Sequence, residues 1–266
     1  MKVSKIFLYD EPAVQEIQIS NLKKFLIETF SADVEIKKSI FSTLNENVIK
    51  KISSCRIFDP KTPFTTHRPD GREIDFEKQV CQDTKMMEKT TMVEDAERIE
   101  DVVMYDAFKI QNVIYDTITE NDADSSNLHI IFTNKLICTY DTTDGRYHAR
   151  TVICSNPAII STTGMIEAPA RPKEYYFEAM KCKMQGLSIH DAKKNYDQKF
   201  LNYHDKRLSK IAEGYLLQAV FYYINGDAFC DSLDCRLNNA HWQKDLLYSQ
   251  LKIGKLCNKH QALLDN

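Results

Sequence analysis

Residues 3–37, VSKIFLYDEPAVQEIQISNLKKFLIETFSADVEIK, open the chain with two strand-like runs on either side of a helix-like one. Residues 3–9 are mostly apolar, residues 12–30 carry apolar side chains at close to helical spacing, and residues 33–37 alternate between polar and apolar. Parallel strands need a long crossover connection, which is usually a helix. This β-α-β opening therefore predicts an α/β (α+β) fold with a parallel pair of strands.

Further strands are predicted in the middle of the chain. Two β-rich runs at 128–140 and 147–155 flank the turn signal Asp144-Gly145, which predicts a hairpin. Residues 158–164, AIISTTG, predict another strand. We therefore expect a mixed sheet of about four to six strands, as is usual for a domain of this kind.

The chain is expected to fold as a single domain over residues 1–266. Its most polar part, residues 65–102, contains THRPDGRE and a charge-dense run, and we interpret it as an insertion. Residues 206–224 carry an apolar stripe at helical spacing. Asp205 favours the start of this long helix, and Gly226 favours its end.

Composition and charge argue against two classes of protein. The formal net charge of the 266 residues is −3, so no large basic field favours a nucleic-acid partner. No run of about 18 apolar residues is present, so no membrane span is expected. Charged residues and Pro12 follow too soon for a secretory signal peptide. We therefore expect a cytoplasmic protein whose thiols are reduced and free to bind metal.

The clearest chemistry lies near the end of the chain, in a Cys-x4-Cys pair, a 21-residue gap and a Cys-x2-His pair. Three thiolates and one imidazole complete a tetrahedral zinc site and leave no position for water or substrate. The pattern therefore predicts one structural Zn²⁺ in a C-terminal zinc-binding segment at 226–262. A disulfide framework is the alternative for these cysteines. The predicted zinc ligands are Cys230, Cys235, Cys257 and His260.

Residues 219–237, AVFYYINGDAFCDSLDCRL, together with the later Cys-x2-His pair resemble the end of the archaemetzincin metallopeptidases. Those proteins carry HExxHxxGxxHC-x4-C-x-M, a gap of around twenty residues, and CxxC. Their three histidines hold a catalytic zinc, and their four cysteines hold a structural one. The resemblance implies a metzincin-like single domain with a long active-site helix and a C-terminal segment stapled by zinc.

Position by position, the resemblance implies that the structural zinc is kept, with His260 in place of the fourth cysteine. The catalytic zinc is not kept, because neither its ligands nor the general base have an equivalent here. We therefore expect a degenerate, archaeal-type member whose vacated site is an apolar pocket formed by Ala219, Tyr223 and Phe229. The residues at the family's positions, in motif order, are Ala219, Val220, Tyr223, Gly226, Phe229 and Leu237.

The favoured interpretation is a non-catalytic zinc protein with a peptide-binding, protein-binding or scaffold role. The resemblance places the substrate-pairing edge strand at residues 160–164, ISTTG, which would bind an extended peptide by strand addition. An active zinc metallopeptidase or hydrolase with a displaced site is one alternative, and its candidate residues are His148, His204 and His241. A zinc-ribbon-like nucleic-acid-binding module is another. A chance alignment of an ordinary core helix also stays open.

Overall fold

The structure is a computed structural model, and within the residues that it describes the chain forms two mixed β-sheets covered by helices. The predicted α/β class is confirmed, with the strands divided between a sheet of five and a sheet of four. The described residues are 3–10, 14–82, 102–118, 122, 124, 126–187, 196 and 198–265.

The first sheet contains the predicted β-α-β opening. Its strands are β1 (Lys5–Asp10), β2 (Asp33–Lys38), β5 (Asn127–Thr133), β8 (Val152–Ile153) and β9 (Ala158–Ser161). They are arranged in the order β2-β1-β5-β9-β8. β1 is parallel to both β2 and β5, and β9 is parallel to β5. β8 is antiparallel to β9 and forms an edge of the sheet.

The second sheet contains the predicted hairpin. Its strands are β3 (Arg56–Ile57), β4 (Met104–Asp106), β6 (Leu136–Asp141) and β7 (Arg146–Ala149), in the order β3-β4-β6-β7. β6 and β7 are antiparallel, as the Asp144-Gly145 turn predicts. The run 147–155 is therefore two strands, because β7 belongs to this sheet and β8 to the first.

Helices connect and cover the strands. Helix α1 joins β1 to β2, and it begins at residue 19 and not at 12, because residues 14–17 form a turn whose Ile17 N–H donates to the Val14 carbonyl at 3.1 Å. A 3₁₀ turn spans Ile40–Thr43 and a π-helical turn spans Tyr248–Ile253. The helices are α1 (Ile19–Phe30), α2 (Glu46–Ser53), α3 (Gly71–Gln82), α4 (Ala107–Tyr115), α5 (Thr162–Glu167), α6 (Lys173–Met184), α7 (Leu208–Asn225), α8 (Gln243–Leu247) and α9 (Asn258–Asp265).

The long helix predicted over 206–224 is α7. It begins two residues later than expected, because the Asp205 carboxylate accepts the Arg207 N–H at 2.9 Å and holds Arg207 as the N-cap. Gly226 ends the helix as predicted. Its φ of 79° lies in the left-handed region that favours glycine, and its N–H donates to the Tyr222 carbonyl at 2.7 Å.

The first sheet is buried on both faces, because alternate residues of its strands point to opposite sides. Ile6 and Leu8 of β1 belong to a core cluster that includes α1 and α7, whereas Phe7 and Tyr9 belong to a cluster that includes α4. This packing fixes α7 against one face of the sheet, and the chain leaves α7 at Gly226 to form the C-terminal segment. Of the predicted insertion at 65–102, α3 packs against α2, and residues 83–101 lie outside the described residues.

Candidate metal centre and adjoining cleft

The four predicted zinc ligands lie together. Their ligand atoms are all within 4.8 Å of one another. His260 Nδ1 lies 3.6 Å from Cys235 Sγ and 3.1 Å from Cys257 Sγ. In a tetrahedral site with Zn–S and Zn–N bonds of about 2.3 and 2.0 Å, a sulfur and a nitrogen are about 3.5 Å apart. The Cys235–His260 distance matches this value, and the Cys257–His260 distance is shorter. The cluster of Cys230, Cys235, Cys257 and His260 could therefore hold a metal ion, and its ligand types suit Zn²⁺.

Local backbone contacts explain how two distant pairs of ligands meet. The Cys230 N–H donates to the Leu237 carbonyl at 2.9 Å and closes the loop between the first two ligands. The Cys257 N–H donates to Cys235 Sγ at 3.4 Å and joins the two pairs directly. Cys257 immediately precedes α9, and His260 lies in the first turn of that helix. The ligand set is therefore built from a loop and a helix start.

The pKa values of the Cys235 and Cys257 thiols are shifted in opposite directions. Burial raises the pKa of Cys235 to about 11. Burial also acts against ionisation of Cys257, but hydrogen bonds from His260, Cys235 and Cys230 outweigh it and lower the pKa of Cys257 to about 6. A bound Zn²⁺ would supply the positive charge that both thiolates need in order to persist in a partly buried site.

The disulfide alternative is not observed. All eight cysteines lie within the described residues, and each is a free thiol. Cys55, Cys81, Cys138 and Cys182 are buried, as expected of small apolar core residues.

Arg236, the residue after Cys235, ties the metal segment to the body of the protein. Its guanidinium donates to Glu213 of α7 at 2.9 Å and to the Lys210 carbonyl at 2.7 Å. Its own carbonyl accepts from the Gln250 side chain at 2.7 Å. The folding of the metal segment is therefore coupled to α7 and to the π-helical turn.

The predicted meeting of Ala219, Tyr223 and Phe229 is not found. Ala219 is fully buried in the core between α7 and the first sheet, and Tyr223 packs against the same core. Phe229 lies elsewhere, on the wall of a cavity whose α7 wall is formed by Tyr215, Gln218 and Tyr222. The face of α7 that carries Ala219 and Tyr223 therefore packs against the first sheet. A different face of the helix lines the cavity, contrary to the expectation.

This cavity has a volume of about 500 Å³ and lies between α7, the β7–β8 segment and the loops around residues 226–229 and 239–241. Aromatic side chains form part of its wall, including Phe108, Tyr215, Tyr222 and Phe229. Polar side chains form another part, namely His148, Arg150, Gln218, Asp227 and His241.

Two of the three histidines considered for a displaced catalytic site line this cavity. His148 Nε2 lies 2.8 Å from Asp144 Oδ2 at the β6–β7 turn. His241 lies in the sequence gap between the two pairs of zinc ligands. His204 is not part of the cavity wall, and its Nδ1 lies 3.3 Å from Glu16 Oε1.

A second cluster could also hold a metal ion. Asp141, Asp144 and His148 have ligand atoms within 4.8 Å of one another. Asp144 is exposed, and it already accepts from Arg146 Nε at 2.8 Å. Within the described part of the chain, neither metal-ligand cluster includes His241 or any residue of α7.

The edge strand beside the cavity is β8 and not ISTTG. Residues 158–161 form β9, which lies between β5 and β8, and residues 162–167 form α5. The Ser161 N–H donates to the Thr151 carbonyl at 2.7 Å, so Thr151 and Ile153 direct their backbone groups towards β9. The N–H and C=O of Val152 consequently point to the open side of the sheet.

The chain changes sheets between Arg150 and Thr151. The Arg150 N–H donates to the Ile137 carbonyl of β6 at 2.8 Å, whereas the Thr151 carbonyl accepts from Ser161 of β9. The cavity thus lies where the two sheets meet, and both its edge strand and Arg150 are fixed by main-chain hydrogen bonds.

Gly164 packs closely against the backbone of Arg150, where the chain passes from one sheet to the other. A Cβ atom at Gly164 would lie 2.3 Å from the Arg150 carbonyl oxygen, and Thr151 Oγ1 donates to the Gly164 carbonyl at 3.0 Å. We expect Gly164→Ala to destabilise the fold by about 1–3 kcal/mol in urea unfolding, because the Arg150 backbone must shift. Gly71→Ala is the matched control, since nothing lies within 4 Å of its Cβ position, and it should leave stability unchanged or slightly higher. Equal stability of the two variants would contradict the close contact.

A cluster of three thiols and an imidazole beside a cleft in an α/β fold defines a protein with a candidate metal centre. The chain belongs to the probable metallopeptidase family (DUF6775), whose sequence profile matches residues 2–266. Neither a curated protein nor a solved structure gives a significant match. None of the described helices combines the length and the apolar character needed to cross a bilayer.

Proposed function

We propose that this protein binds an extended peptide segment without cleaving it, and that its zinc has a structural role only. The observation that carries the proposal is the open edge of β8, which lines the same cavity as α7. An extended peptide can add to such an edge through main-chain hydrogen bonds, with its side chains in neighbouring pockets. Val152 offers one N–H and one C=O in the required direction.

We expect no cleavage because of the residues of α7 and because of the ligands of the metal cluster. Ala219, Val220 and Tyr223 occupy the positions of the first zinc ligand, the general base and the second ligand in the archaemetzincin pattern. Ala219 and Val220 are fully buried in the apolar core, so neither can ligate a metal or activate a water molecule. The Cys₃His cluster supports a closed site, in which zinc would organise the fold and would have no free coordination position.

The test measures binding and cleavage together. A fluorescently labelled extended peptide is titrated with the zinc-loaded protein, and its integrity is followed by mass spectrometry. We expect binding without cleavage, and we expect Val152→Pro to abolish binding because proline removes the outward N–H. Val152→Thr is the matched control, since it keeps the N–H and the β-branched shape. Metal-dependent cleavage by the purified protein, or full binding by Val152→Pro, would contradict the proposal.

A displaced hydrolytic site is the second candidate, because His148 and His241 line one cavity in a member of a probable metallopeptidase family. Under this alternative, peptide cleavage would be sensitive to chelators and would be lost in both His148→Ala and His241→Ala. His204→Ala, which changes a histidine outside the cavity wall, would retain it.

A further inference from the structure

Arg150 stands out among the residues of the cavity wall because of its charge and its contacts. It follows β7 directly, two residues after His148, so the two side chains leave the same face of the chain. Its Nε donates to Thr139 Oγ1 at 2.7 Å. Thr139 in turn lies directly opposite His148 across the β6–β7 ladder. The guanidinium is therefore held in place by a neutral hydroxyl.

Arg150 forms no salt bridge with a carboxylate in the part of the chain that the structure describes, and its Nε is hydrogen-bonded to the Thr139 hydroxyl instead. Asp144, the nearby acidic residue of the hairpin, is bonded to Arg146 and His148 instead. Asp227 also lines the cavity, but it is exposed, and its carboxylate accepts the Phe229 N–H at 3.2 Å. Arg150 thus lines the cavity with a positive charge that no salt bridge within the described chain offsets.

A guanidinium that has no salt-bridge partner is suited to bind a carboxylate. Its planar fork of N–H donors binds a carboxylate through two parallel hydrogen bonds, and such charge-assisted bonds are stronger than neutral ones. Arg150 is also only two residues from Val152, whose backbone groups point to the open edge of β8. A strand added at that edge would place its side chains or its C-terminus next to Arg150.

We propose that Arg150 is the specificity-determining residue of the cleft and that it selects peptides carrying a carboxylate. The carboxylate is that of a glutamate or aspartate side chain or that of a peptide C-terminus. This inference rests on the proposed peptide-binding function and deepens it by naming the class of ligand.

The test compares three labelled peptides: Ac-Val-Glu-Val-Glu-Val-NH₂, its glutamine counterpart with an amidated C-terminus, and that glutamine peptide with a free C-terminus. At least one carboxylate peptide should bind about 10-fold or more tightly than the neutral one, as expected for charge-assisted hydrogen bonds. A preference for the first peptide identifies a side-chain carboxylate, and a preference for the third identifies the C-terminus.

Three variants connect the preference to the arginine. Arg150→Gln should bind all three peptides equally, whereas Arg150→Lys should keep part of the preference, because it keeps the charge but not the fork. Thr139→Val removes the acceptor that holds Nε and should reduce the preference while leaving the charge in place. Zinc content and melting temperature should match those of the unmodified protein, which separates loss of recognition from loss of folding.

The outcomes distinguish this inference from the function on which it rests. If neutral and carboxylate peptides bind equally well and Val152→Pro still abolishes binding, the carboxylate inference is overturned and peptide binding stands. If the preference persists in Arg150→Gln, the carboxylate is recognised by another residue and the assignment is overturned. If none of the three peptides binds, both proposals are overturned.

Discussion

Cys235→Ser and Cys257→Ser are each expected to remove zinc from the purified protein and to cause a large loss of stability. Both side chains contribute to a cluster whose ligand atoms lie within 4.8 Å of one another, and removal of one thiolate leaves an incomplete shell. Structural zinc binding is worth about 10–16 kcal/mol in isolated zinc-finger peptides. Because Arg236 couples the segment to α7, we expect the melting temperature of the whole protein to fall.

Cys182→Ser is the matched control for the zinc variants. It changes a buried cysteine that lies on α6 and outside the metal cluster. It should retain one zinc per chain. Its loss of stability should be smaller than that of the zinc-ligand variants, because only a buried thiol is replaced by a hydroxyl. If Cys235→Ser and Cys257→Ser keep both their zinc and their melting temperature, the cluster is not a metal site.

The second large effect is expected at Glu77, a fully buried carboxylate in α3. It accepts from Arg56 Nη2 at 2.6 Å, from Lys135 Nζ at 2.7 Å and from Tyr105 OH at 2.9 Å. Glu77→Gln would leave two buried cations without their counter-charge, which typically costs about 3–5 kcal/mol. We therefore expect a loss of this size in the free energy of unfolding, measured with urea at pH 7. Glu28→Gln, which removes an exposed partner of Lys24, is the control and should cost less than about 1 kcal/mol.

The stability effect at Glu77 should also depend on pH. Burial alone would raise the pKa of Glu77, but the charges of Lys135 and Arg56 outweigh burial and lower it. A carboxyl whose pKa is lower in the folded state stabilises the fold above its unfolded pKa, and this contribution is lost as the pH falls through the folded pKa. The difference in unfolding free energy between the unmodified protein and Glu77→Gln should therefore be full at pH 7 and shrink below about pH 4.5. A difference that stays constant down to pH 3 would show that Glu77 is not ionised in the fold.

Features that are set by residues close together in the chain could be predicted from the sequence. The β-α-β opening follows from local periodicity, and the β6–β7 hairpin follows from Asp144-Gly145. The Cys₃His cluster follows from two closely spaced ligand pairs, because the chemistry of zinc limits how such pairs can be used.

The orientation of α7 could not be predicted in the same way. Eleven of its residues are buried, so no polar face marks the side that meets the cavity. Gln218 was the available signal, as a polar residue within an otherwise apolar stretch; it is almost completely buried, and its Nε2 donates to the Asn238 carbonyl at 3.3 Å. A periodic pattern cannot tell which of two apolar neighbours a helix will choose.

The order of the strands and the pairing of charges far apart in the chain also could not be predicted from the sequence. β8 has only two residues, and its position at the edge depends on the pairing of Thr151 with Ser161 of a later strand. Glu77 lies in a stretch that composition alone marks as polar and exposed. Its burial depends on Lys135, which is 58 residues away in the chain.

X-ray absorption at the zinc edge of the purified protein tests the central claim most directly, namely that the metal is structural and fully ligated by the protein. We predict one zinc per chain with a first shell of three sulfur atoms and one nitrogen atom, supplied by Cys230, Cys235, Cys257 and His260. A second zinc per chain, or a shell containing an oxygen from water, would reveal an open coordination position and would contradict a purely structural role.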